Sequence, residues 1–215
     1  MQRRSASGVS EFAFADGIAG PRKQPTQDRS KHTVAAILEA TLRVLDEAGS
    51  TGLTTTRVAE VAGVSVGTLY QYFPNREALL NALLADHLEA AISAVETECA
   101  ACAGIPLPDA VPRVVRAFLA AKATRAAASR IMNKAFGIGM QDDRPLVIAA
   151  SHRAHLAIAK LVSGTAEPSP EILAKAGLAC AALEGIVRAA ITEDPDRLGD
   201  PEWTDQVVRI ASAAL

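Results

Sequence analysis

Aromatic residues are scarce in this chain: five Phe, two Tyr and one Trp supply 4% of its 215 residues. The aromatic and β-branched runs that build sheets are missing, while alanine, the best helix former, is abundant, so the composition points to an all-α protein. Cysteine is also rare. Three cysteines are a small and odd number, which argues for a reducing cytoplasm rather than a disulfide framework. No apolar run approaches the roughly twenty residues that span a bilayer, and no continuous apolar stretch follows Arg3 and Arg4, so neither a membrane segment nor a secretory signal is expected. A formal net charge of -2 does not advertise a nucleic-acid binder. Charge can still be placed locally, and Arg22, Lys23, Arg29 and Lys31 cluster ahead of the first clear helix. The chain offers no linked nucleophile and base, no carboxylate pair and no phosphate-loop spacing of its glycines, so no enzyme activity and no cofactor are expected.

The most informative stretch is Thr54 to Leu80, TTTRVAEVAGVSVGTLYQYFPNREALL. Thr54 and Thr55 can cap a helix, since a hydroxyl there accepts a bond from the orphaned amides of the first turn. Val58, Ala59 and Ala62 then form a small apolar stripe at helical spacing. Gly63 should end that helix in the left-handed conformation, and Ser65 caps the next, from Val66 to about Phe73. Leu69 and Phe73 share one face of this second helix as core. Gly67, Thr68, Gln71 and Tyr72 lie opposite, with Tyr70 between. Pro74 breaks the helix, and Asn75 caps another beginning near Arg76. Two short helices around a tight glycine turn, the second with a polar face, make a helix-turn-helix.

This run closely resembles the recognition segment of the tetracycline-repressor (TetR) family of bacterial transcription regulators. The resemblance rests on Thr54, Thr55, Ala59, Ala62-Gly63-Val64-Ser65, Gly67-Thr68-Leu69-Tyr70, Tyr72-Phe73 and Arg76, within residues 34 to 83. It implies a three-helix DNA-binding domain at 30–80, preceded by a basic arm at 1–29 and followed by a helical effector-binding and dimerisation domain at 81–215. Side chains at Thr55, Thr56, Val66, Gly67, Thr68, Tyr70, Tyr72 and Arg76 are then the expected DNA contacts. Threonine hydroxyls can meet bases or phosphates, whereas the tyrosines and Arg76 suit phosphates, which fix register. Tyr70 has a structural alternative, closing the core behind the turn. The arm has one too, as a solvated tail; Arg29 and Lys31 are its best candidates for DNA contact.

Elsewhere the pattern is helical throughout. Thr33 to Ala48 is amphipathic, with Val34, Ile37, Leu38, Leu42 and Leu45 inward and Gly49 ending the helix. A long helix from Arg76 to about Ala103 reads as a rod between domains. Its Cys99 and Cys102 form a C-x-x-C, read as ordinary packing with redox sensing as the alternative. Further helices are expected over Val111 to about Ser129, Ile131–Phe136, Arg144–Ser163, Ser169–Ile191 and from Glu202 onward. Leu178, Leu183, Ile186, Val187, Val207, Ile210 and Leu215 would form an apolar face on the last two, which a second copy would cover, as the resemblance also implies. The resemblance further implies a small-molecule effector in the C-terminal bundle. Phe118, Met132, Phe136, Met140, His152 and His155 are candidate lining residues. His152 and His155 stand three apart, but no acidic or thiol partner is evident and no metal site is expected.

The expected function is that of a dimeric regulator, a repressor released from an inverted-repeat operator by its effector. The alternative is a dimeric helical interaction protein that no longer binds DNA.

Overall fold

The computed structural model describes residues 28–136 and 145–214. Among these residues the chain forms nine α-helices, one short 3-10 helix and no strand. The helices are α1 (Asp28–Gly52), α2 (Thr55–Ala62), α3 (Val66–Tyr72), α4 (Arg76–Ala101), α5 (Leu107–Ala123), α6 (Ala126–Phe136), α7 (Pro145–Ser163), α8 (Pro170–Glu193) and α9 (Pro201–Ala214), with the 3-10 helix at Pro195–Gly199. Most lie where periodicity places them. The helix expected to start at Thr33 begins at Asp28, and the one expected to reach Ser129 stops at Ala123, where α6 takes over after a two-residue break.

Two compact units divide these helices. The first runs to Glu89 and takes in Ile131–Phe136 of α6; the second comprises Ala90–Arg130 and the residues from Pro145 onward. In the first unit α1 buries Val34, Ile37, Leu38, Val44 and Leu45. Leu42, expected inward, is only half-buried. Gly49 adopts φ 67°, a backbone conformation in which a Cβ would be strained, and interrupts the helix as its position suggested. α1 packs on α2 and α2 on α3, with Val58, Leu69 and Phe73 fully buried.

In the second unit α5 packs on α9, α7 on α8 and α8 on α9. Their core includes Val95, Val115, Phe118, Leu119, Val187 and Val207. Val187 and Val207, expected on a surface awaiting a second copy, are therefore covered within the subunit. Leu183 and Ile186 are half-buried against the same core, whereas Leu178 and Ile210 are 74% and 52% exposed. Leu215 lies outside the described residues. On α8 the exposed positions Ala174, Leu178, Ala181, Ala182, Gly185 and Ala189 recur at helical spacing, so the outward face is an apolar strip of mostly small side chains. Among the described helices α4 alone is long and apolar enough to cross a bilayer by length and composition, contrary to the expectation from apolar runs. Half of that stretch is buried within the fold, as in a core helix of a globular protein.

One cation is nearly buried in the second unit. The Lys122 side chain is 10% exposed; its Nζ stands 2.9 Å from Glu184 Oε1 and 5.3 Å from the centre of the Phe118 ring. Desolvating a lysine is unfavourable unless a carboxylate compensates, and Glu184 supplies one from α8 to α5. The thiols are the other polarisable groups here. Cys99 belongs to the core, and Cys102 is fully buried, its Sγ donating to Glu98 Oε1 at 3.7 Å. Burial pushes the Cys99 and Cys180 thiols from 9.0 up to about 12, and raises Cys102 as well. Protonated thiols are poor nucleophiles, which favours the packing reading of the C-x-x-C over the redox one.

Two outcomes are expected from these interiors. Glu184→Ala should destabilise the fold by about 1–3 kcal/mol in urea melts, because Lys122 loses its carboxylate, whereas Lys122→Met, of similar length and apolar, should be close to neutral. Native protein at pH 8 should react with a thiol reagent far more slowly than unfolded protein. Because the folded-state thiol values lie above the unfolded ones, their contribution to stability is present below pH 9.0 and is lost as pH rises toward about 12. Urea midpoints should fall over that range, less so in a Cys99→Ala, Cys180→Ala variant.

Candidate nucleic-acid interface

The site is assembled by helix ends. Thr54 precedes α2 in an extended conformation, and its hydroxyl accepts from the Arg57 amide at 3.2 Å. At the other end Gly63 takes φ 68°, ψ 29°, which turns its own amide onto Glu60 O at 3.1 Å and that of Val64 onto Ala59 O at 3.0 Å. Two residues later Ser65 opens α3: its Oγ accepts from the Thr68 amide at 3.0 Å and lies 2.8 Å from Thr68 Oγ1. Asn75 Oδ1 repeats the device for α4, accepting from the Ala78 amide at 2.8 Å. Thr54, Ser65 and Asn75 each make the cap bond read from the local pattern, whereas the Thr55 hydroxyl, the other cap candidate for α2, pairs with Tyr70.

Longer-range bonds tie the same elements together. The Thr55 and Tyr70 hydroxyls lie 3.1 Å apart and join the start of α2 to α3. Arg57 reaches back to Glu47 Oε2 at 3.1 Å, and Arg76 Nη2 donates to the Ser50 carbonyl at 2.5 Å. That last bond caps the chain just after the Gly49 break. Local pattern gave no sign of it, because the partners are 26 residues apart.

The expected DNA contacts fall into three groups. Thr56, Val66, Gly67, Tyr70 and Arg76 are exposed, and Thr55 and Thr68 half-exposed, on this surface. Val66 and Tyr70 are 37% and 43% exposed. Tyr72 is a correction: it is only 8% exposed. Helical spacing puts Leu69, Tyr72 and Phe73 on one face, and that face packs inward, so Tyr72 belongs with the core. Tyr70, for which closing the core was the alternative, is the outward one. Of the basic arm, Arg22 and Lys23 lie outside the described residues, as does the Arg29 side chain; Lys31 is exposed in the first turns of α1.

Each described effector candidate has surroundings of its own. Phe118 is a core residue beneath Lys122. Met132, 1% exposed, is buried in the first unit. His152 is exposed on α7. His155 is seated against α8 where Gly177 leaves room, for a Cβ there would stand 3.3 Å from its Nδ1. Burial, and secondarily His152, lowers the His155 pKa below 6.5. Its place against Gly177 makes it a helix-packing residue. The Phe136 side chain and Met140 lie outside the described residues.

Comparison with known proteins places this geometry. Residues 37–83 match the family described as bacterial regulatory proteins, tetR family. Over 50 residues the chain is 42% identical to the HTH-type transcriptional regulator BetI of Burkholderia thailandensis, covering 23% of this chain and 26% of that protein. Over 48 residues it is 46% identical to the tetracycline repressor protein class C of Escherichia coli, covering 22% of each. The match thus spans about a quarter of these relatives' length. A TetR family transcription regulator from Marinobacter aquaeolei VT8 shares the fold with a TM-score of 0.60 at 21% identity, over 86% of this chain and 96% of that one. Residues 37–83 thus carry a helix-turn-helix similar to that of the bacterial regulatory proteins of the tetR family, and the chain as a whole shares the fold of such regulators.

Proposed function

We propose that the protein is a sequence-specific, homodimeric DNA-binding transcription regulator that acts as a repressor and is released from an inverted-repeat operator by a small-molecule effector held in its second unit. The observation that carries the DNA-binding reading is Gly67. It lies in the first turn of α3, is exposed, and has no positive φ; a Cβ built on it would meet nothing closer than Ser65 Oγ at 3.8 Å. Nothing among the described residues asks for glycine there, and glycine weakens a helix relative to alanine. A surface that must come close to something else explains it. The neighbouring groups suit a phosphate backbone. Of the two hydroxyl protons of Thr55 and Tyr70, one joins the pair and the other remains to be donated. Arg76 uses one nitrogen on Ser50 and keeps donors for a phosphate.

Dimerisation is supported by the apolar strip on α8, whose Leu178 is 74% exposed beside small residues that permit close helix approach. A two-fold axis would set two α3 helices about 34–36 Å apart, or a multiple of that, matching successive major-groove faces. The effector must prefer the arrangement that does not fit DNA, because equal affinity for both would shift nothing.

The test of the whole reading is fluorescence-anisotropy binding to DNA upstream of its own gene at two salt concentrations, against a scrambled duplex. Preferential, salt-sensitive binding is expected; no binding even at low salt would favour the interaction-protein alternative. In the same assay Arg76→Ala should weaken binding to all duplexes and reduce the salt slope by about 1. Gly67→Ala should separate folding from function: stability rises by about 0.5–1 kcal/mol while DNA affinity falls. A variant more stable and equally tight on DNA would remove Gly67 from the interface. Leu178→Glu should turn the dimer into monomer by sedimentation, and weaken operator binding with it.

A further inference from the structure

We infer that Gln71 is the residue of α3 that reads sequence, and that it selects adenine at one position in each half of the operator. This rests on the DNA-binding reading above and deepens it. The hydrogen bonds of the helix-turn-helix already occupy most of its polar side chains. Ser65 caps α3, and Thr68 is bonded to Ser65 through both its amide and its hydroxyl. Tyr70 is joined to Thr55, and Tyr72 is buried. Arg57 is held by Glu47, and Arg76 by the Ser50 carbonyl. Val66 and Gly67 have no side-chain donors or acceptors. Gln71 is exposed, and its amide makes no bond to another described residue. It is therefore the one side chain of α3 that presents a carbonyl and an NH2 together, uncommitted, at the surface.

Its position suits the role. Gln71 follows Gly67 by four residues, so the two share a face about one turn apart, about 6 Å along the axis. The bare backbone at Gly67 lets that face approach the groove floor, and a glutamine one turn on can reach the base edges beneath. A side-chain amide placed there pairs with adenine through N7 and the N6 amino group; no other base offers that donor and acceptor in the same order in the major groove.

The test is selection of bound sequences from a randomised duplex pool by full-length wild type, Gln71→Ala and Gln71→Glu, followed by measured affinities for the selected site with each base substituted in turn. Wild type should require adenine at one symmetric position in each half-site, with a loss of roughly tenfold or more on substitution. Gln71→Ala should lose that preference alone, with the other positions and the salt slope unchanged, because no phosphate contact is removed. Gln71→Glu should shift the preference toward cytosine, whose N4 donates to a carboxylate. Selection of the same preferences by Gln71→Ala and wild type would overturn the assignment while leaving DNA binding intact. Failure of wild type to enrich any sequence would overturn the DNA-binding reading and this one with it.

Discussion

Two helix ends meet within three residues at Gly63–Ser65, and everything the first unit presents depends on satisfying both. A helix terminus leaves backbone groups without partners, and a turn this short has no slack to find them elsewhere. The left-handed φ of Gly63 directs two amides back onto α2, and the Ser65 hydroxyl takes up an amide of α3. Replace the glycine and the turn is strained; replace the serine and the new helix starts with an orphan. A seven-residue helix such as α3 is far too short to persist alone in water. Its form is imposed by its caps and by Leu69, Tyr72 and Phe73 beneath it.

This explains why the helix-turn-helix was legible in the sequence. Caps, the glycine turn and the apolar spacing are local chemistry, set by residues within about four positions of one another. Thr54, Gly63, Ser65 and Asn75 could be read directly for that reason. Tyr72 could not be assigned from type alone, because a tyrosine suits either a phosphate or a core, and only its register with Leu69 and Phe73 settles the matter. The Arg76 bond to Ser50 was invisible for a different reason: it joins positions far apart in sequence, and arginine carries no mark of its partner.

The second unit was legible in outline and less so in detail. Helical periodicity located α5 to α9, but the break between α5 and α6 carries no glycine or proline, so the pattern ran through it. Val187 and Val207 belong to apolar stripes whose inward and outward members look alike in sequence. Packing of α5 on α9 and of α8 on α9 separates them, covering these two and leaving Leu178 and Ile210 outside. No local pattern marks an effector lining. A cavity is made by what surrounds it, and the types chosen for it, phenylalanine, methionine and histidine, are also those that fill cores and fit between helices, as His155 does against Gly177.

The Arg76 bond to Ser50 has a consequence for how such a protein can change. It fastens the start of α4 to the chain just beyond the Gly49 break, so that α2 and α3 hang within a closed segment pinned at both ends. Outward positions such as Val66, Gln71 and Thr56 are not among its fasteners. Drift there leaves the closure, the caps and the buried stripe untouched. The segment thus behaves as an exchangeable cassette, whose outer face can be rewritten while its mounting stays the same.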